Sequence, residues 1–117
     1  MTKTRYLSGL PAATITIEAH EIECVIDTGF DGALMLPISI IQKCDLRKKA
    51  QIQCLLADGT LSQKDVFDGE ICWLEQKRKV RIVAMNTNFA LIGMKLLNEA
   101  KTVLSPSKNI LTIEPVS

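Results

Sequence analysis

The sequence predicts a small all-β domain: a closed barrel of short strands with one or two short helices. Three observations carry this prediction. Short apolar or β-branched runs recur from residue 12 to residue 113. Turn signals divide them, among them Asp31-Gly32, Asp58-Gly59 and Asp68-Gly69. Helical periodicity is confined to two brief stretches, at 40–44 and 94–100. The 117 residues suit one domain, 1–117, and a hydrophobic content of 47% is enough for a real core. Aromatics make up only 4% of the chain, so that core is aliphatic.

Taken in order, residues 12–19 alternate and are β-branched, which reads as a strand, with a turn at His20-Glu21. Residues 22–26 form the next strand and grow more apolar towards Asp27. After the Asp31-Gly32 turn, residues 33–36 are a third strand, stopped by Pro37. Ser39 is placed to cap a short helix at 40–44. Residues 51–56 and 61–67 read as two strands joined by Ala57-Asp58-Gly59-Thr60, since Asp-Gly is a strong hairpin signal. Asp68-Gly69 is expected to turn the chain again, and 70–74 and 79–85 to form a hairpin around residues 75–78. Residues 89–93 are a short apolar strand ending in Gly93. A helix at 94–100 would place Leu96, Leu97 and Ala100 on one side, and 109–113 closes the series as a last strand.

Composition narrows the function classes. The formal net charge is +1 and the pI about 7.6, which argues against a nucleic-acid partner or an anionic membrane surface. No run is long and apolar enough to span a bilayer. The first residues lack an apolar signal core, so a cytoplasmic location is expected, with Cys24, Cys44, Cys54 and Cys72 as reduced thiols. His20 is the only histidine, and the cysteine spacing does not suit zinc, so no metal site and no cofactor are expected.

The chemistry concentrates at Val25-Ile26-Asp27-Thr28-Gly29. A carboxylate at the end of a buried apolar run must be hydrogen-bonded, paired or protonated. This stretch resembles the active-site loop of the retropepsin-like aspartic proteases, of the single-domain microbial kind. Two further stretches strengthen the resemblance, in the expected order. Ala57-Asp58-Gly59-Thr60 stands where that family carries its flap hairpin, and Leu91-Ile92-Gly93-Met94-Lys95-Leu96-Leu97 resembles the segment and helix packed beside the catalytic loop.

The resemblance implies an aspartic endopeptidase. Its dyad needs two carboxylates sharing a proton, and this chain has one Asp-Thr-Gly, so it implies a homodimer with Asp27 and its copy across a two-fold axis. It further implies that Thr28 bonds across the dimer beneath the dyad, that Gly29 lets substrate backbone pass, and that Asp31 holds substrate main chain. Phe30 would shape a subsite. Ala57, Asp58, Gly59 and Thr60 would cover the substrate as a lid, while Ile92 and Gly93 buttress the loop. The partners implied are a second copy of the chain and a peptide or protein substrate.

Two departures from the family pattern stand out. Phe30 replaces a small residue, and Met94 and Lys95 stand where a polar tie from helix to loop is more usual. Other readings of these residues exist. Asp27 suits a structural turn at a strand end. A calcium loop starting at Asp27 fails, because Gly29 and Ile38 occupy its third and twelfth positions. The run Lys77-Arg78-Lys79-Val80-Arg81 reads as a solvated hairpin tip rather than a phosphate site. His20, Asp45 and Lys95 are expected at the surface. A retropepsin-fold dimer that binds peptides without cutting them, and an unrelated monomeric β-barrel, are the competing classes.

Overall fold

A computed structural model describes residues 2–55 and 58–116. Ten strands and two short helices follow one another: β1 (Thr4–Leu7), β2 (Leu10–Ile17), β3 (His20–Ile26), β4 (Leu34–Pro37), α1 (Ile38–Lys43), β5 (Arg47–Leu55), β6 (Leu61–Trp73), β7 (Gln76–Met85), β8 (Ala90–Ile92), α2 (Met94–Leu97), β9 (Ala100–Ser105) and β10 (Ile110–Pro115). A 3₁₀ turn at Pro106–Lys108 joins the last two strands. Eight strands form one sheet in the order β1-β2-β3-β8-β4-β7-β6-β5.

Two features of this order position the site. First, β2 also pairs with β6, Thr16 opposite Cys72 and Ile17 opposite Ile71, so six strands run in a ring around the core. The Glu18 N–H donates to Glu70 O at 3.0 Å, and the Glu70 N–H to the Glu18 carboxylate at 3.1 Å, reinforcing this seam. Second, the three-residue β8 lies between β3, to which it is parallel, and β4, to which it is antiparallel. The ends of β3 and β8 therefore emerge side by side.

The core is aliphatic, as composition requires. Ile15, Ile17, Leu34, Leu36, Ile71, Ile82, Ile92 and Leu96 are each at most 1% exposed. Full burial of such side chains is worth roughly 1.5–3 kcal/mol apiece. The exception is Trp73, the only tryptophan, equally buried, whose indole N–H donates to Leu96 O at 3.1 Å. A buried indole needs such a partner, and here it satisfies a carbonyl at the end of α2.

Several boundaries differ from the sequence reading, each for a physical reason. The β2–β3 hairpin turns at Glu18-Ala19, both with positive φ, and not at His20-Glu21. The β6–β7 hairpin turns at Leu74-Glu75, again both with positive φ, so it is tighter than the expected 75–78 loop. Asp68-Gly69 does not turn at all but lies inside β6. A Cβ at Gly69 would stand 2.6 Å from Ile82 Cδ1, so this glycine makes room for a core side chain. The first helix starts at Ile38 behind Pro37, without a capping bond from Ser39. The second stops at Leu97, and Ala100 opens β9. Strands β1 and β9 were not expected.

Beyond the barrel, β9 and β10 pair only with each other, as a two-stranded sheet. The side chains of β1 hold it down: Thr4 Oγ1 donates to Leu111 O at 2.6 Å and the Tyr6 hydroxyl to Ile110 O at 2.7 Å. Leu111 and Ile113 face the core, while Val103, Leu104 and Ile110 remain exposed. No helix among the described residues is long and apolar enough to cross a membrane.

Candidate active site

Asp27 leaves the end of β3, where the buried run Cys24-Val25-Ile26 gives out. Its N–H donates to Ile92 O at 2.9 Å, which extends the β3–β8 ladder by one bond. Its carbonyl accepts from the Phe30 N–H at 3.2 Å, closing a turn. Its Oδ1 accepts from the Gly29 N–H at 2.9 Å. Its Oδ2 accepts nothing from the described residues. The carboxylate is thus fixed through one oxygen and half-buried, with the other oxygen available.

The rest of the loop is knitted to the start of α2. The Gly93 N–H donates to Ala33 O at 2.9 Å, the Met94 N–H to Phe30 O at 2.7 Å, and the Lys95 N–H to Gly32 O at 3.1 Å. The polar side-chain tie that Met94 and Lys95 lack is therefore replaced by three main-chain bonds. Gly93 allows the approach: a Cβ there would lie 2.2 Å from Gly32 O and 2.8 Å from Phe30 O. The Phe30 ring folds over the same place, so that a Cβ at Gly32 would meet it at 2.5 Å. Ile92 is fully buried beneath the loop.

Thr28, Gly29 and Asp31 are exposed and Phe30 is half-buried. Phe30, Asp31 and Gly32 border a cavity of about 520 Å³, whose wall Ile52 and Cys54 of β5 also form. Asp27 is not among its lining residues. Beyond that wall the β5–β6 hairpin runs on to its tip. Asp58 Oδ1 accepts from the Thr60 N–H at 2.9 Å and from the Thr60 hydroxyl at 2.6 Å. These bonds, the hydroxyl's first, hold the Asp58 carboxyl below its ordinary pKa. Gly59 has φ +85°, as its place in an Asp-Gly turn demands. Asp58, Gly59 and Thr60 are all exposed, while Ala57 lies outside the described residues.

Two contributors were not singled out from the sequence. Trp73 supports α2, and the only signal was that it is the single tryptophan. Cys54, in the cavity wall, carried no signal beyond its strand position. The basic run also changes place: Lys77, Arg78, Lys79 and Arg81 lie along β7 rather than at a hairpin tip. Arg78 pairs with Glu99. No group of three or more His, Cys, Asp or Glu side chains gathers to hold a metal among the described residues.

A six-strand ring carrying a main-chain-clamped Asp-Thr-Gly loop, with a long hairpin bordering the same cavity, defines a class: the retropepsin-like aspartic-protease fold. Solved structures share it. The EIAV protease complexed with the inhibitor HBY-793 superposes with a TM-score of 0.65 at 19% identity, over 84% of this chain and 96% of that one. A retropepsin-like aspartic protease from Rickettsia conorii gives a TM-score of 0.70 at 16% identity, over 97% and 88%. The simian foamy virus (mac) protease gives 0.59 at 15% identity, over 74% and 91%. No family model and no curated protein matches the sequence. At these identities it is the fold that is shared.

Proposed function

We propose that the chain is a homodimeric, cofactor-free aspartic endopeptidase in which two Asp27 carboxylates, one per subunit, activate a water for peptide hydrolysis. The observation that carries this is the state of Asp27: one oxygen bonded by the Gly29 N–H, the other open, on a loop clamped by α2. In the dimer the two carboxylates stand about 3 Å apart and share one proton, because like charges that close do not both ionise. The ionised partner takes a proton from water while the protonated one polarises the scissile carbonyl. Thr28 bonds across the axis, Asp31 holds substrate main chain, and the hairpin tip around Gly59 covers the substrate. The interface takes in Asp27, Thr28 and the strand at 109–113.

The test is activity against concentration. Specific activity on a cleavable peptide falls as the protein is diluted through its dimer dissociation range, read beside molar mass. Constant specific activity in a species of monomer mass refutes the shared site. A dimer that binds peptides but never cuts them supports the non-catalytic alternative.

A further inference from the structure

The cavity of about 520 Å³ beside the active-site loop has an apolar floor and a basic rim. Val66 and Val83 face each other across β6 and β7, and Arg81 and Lys79 follow Val83 at two-residue spacing on one face of β7. Ile52, Phe30 and Met35 complete the floor. Lys95, at the start of α2, brings a third cation to the rim.

The charges in this lining do not cancel. Arg78 and Glu99 neutralise each other, and Asp68 is paired with Lys49 at 3.8 Å. Across the β6–β7 ladder Arg81 stands opposite Asp68 and Lys79 opposite Glu70, yet among the described residues Lys79, Arg81 and Lys95 are exposed and close no ion pair, so four cations of the lining meet three acids, Asp31, Asp68 and Glu99. The volume holds more than one side chain.

We infer that this cavity is a subsite for an acidic stretch of peptide, an apolar side chain lying on the Ile52–Val66–Val83 floor and a neighbouring carboxylate meeting the Lys79–Arg81–Lys95 rim. The inference rests on the proposed peptide-cleaving site and names its substrate class. Rim charges act chiefly through association rate and salt dependence, so the preference for acidic peptides weakens as salt rises.

The experiment measures binding separately from cleavage. Fluorescein-labelled peptides with one apolar residue flanked by Glu, Gln or Lys are titrated by anisotropy against full-length Asp27→Asn protein. The Glu peptide is expected to bind roughly tenfold more tightly than the Gln peptide, as three exposed charge pairs allow. Most of this advantage is lost in the Lys79→Gln/Lys95→Gln variant, which keeps Arg81, and it reverses towards the Lys peptide in Lys79→Glu/Arg81→Glu/Lys95→Glu. Circular dichroism checks that each variant is folded; if the triple is not, the Gln pair decides. Equal binding of Glu and Gln peptides overturns the inference, as does an advantage undiminished in the Gln pair. A single-stranded oligonucleotide that competes as well as the Glu peptide also overturns it. Cleavage of Glu and Gln peptides at equal rates by the wild type sinks the subsite and leaves the endopeptidase standing. Selective binding of the Glu peptide with no cleavage by the wild type does the reverse.

Discussion

Phe30–Ala33 and the β5 residues Ile52 and Cys54 border the same cavity, yet their backbones are held in opposite ways. The loop from Asp27 to Ala33 is fastened from outside itself, by four main-chain bonds to residues 92–95. Ile92 and Gly93 beside it are buried, and Gly93 leaves no room for even one more carbon. The far half of the β5–β6 hairpin is fastened only to itself: Cys54 pairs with Ser62 and Leu55 with Leu61, and nothing else in the sheet adjoins β5. Leu55 and Leu61 are 73% and 63% exposed. For the endopeptidase proposed above, chemistry at Asp27 would need a fixed carboxylate and admission of a peptide a wall that opens. Cross-tied, buried backbone opens less readily than an exposed edge hairpin, so local stability is expected to be higher at the loop than at the hairpin.

The sharpest break is at the carboxylate. Asp27→Asn keeps the shape and the acceptor for the Gly29 N–H but loses the proposed general base, so turnover is expected to fall by at least ~10²–10⁴ while the proposed dimer stays folded. Peptide cleavage and molar mass are measured on the same sample. Wild-type turnover in this variant ends the aspartic-protease reading. Next comes the clamp. Gly93→Ala forces a Cβ against two main-chain oxygens, and the fixed loop must shift to admit it. The expected loss is ~1–3 kcal/mol or more in denaturant unfolding, with activity lost as well. An unchanged midpoint would mean that the loop yields as easily as the hairpin.

Gly59→Val tests the other side of the comparison. Nothing lies within 4 Å of a Cβ there, so the penalty is backbone strain alone, from a β-branched residue at φ +85°. Turnover drops more than global stability, because the displaced tip leaves the barrel intact. Normal cleavage rates in this variant would remove the hairpin from the mechanism. The smallest effect is expected from Leu61→Ser. Stability changes by no more than about 0.5 kcal/mol, since the side chain is exposed. KM for an apolar peptide rises a few-fold with kcat unchanged if Leu61 covers substrate; an unchanged KM places it away from the bound chain.

The sequence carried the parts of this picture that local chemistry encodes. The apolar run into Asp27, the Asp58-Gly59 turn and the paired apolar segments were all legible, and so was the β-rich class. Where the reading went astray, a non-local cause decided. Glu18-Ala19 and Leu74-Glu75 make tight turns with positive φ, yet neither pair contains the Gly or Asn that advertises such turns. Asp68-Gly69 advertises one and makes none, because the glycine answers to Ile82 from the neighbouring strand. Strand β9 exposes Val103 and Leu104 while Thr102 is half-buried, and it follows a four-residue helix, so no apolar-in, polar-out periodicity marks it. Met94 and Lys95 looked like a missing tie because main-chain bonds have no sequence signature.

The wedge of β8 between β3 and β4 has a consequence in time. Both strands that it separates are made long before it during synthesis. Until residues 92–95 have left the ribosome and slotted into place, Asp27 lacks its Ile92 partner and residues 30–33 lack theirs. A partly made or prematurely terminated chain therefore carries the Asp-Thr-Gly word without the shape that gives it meaning. If the chain is the endopeptidase proposed above, its fold withholds the finished loop until residues 92–95 have been made.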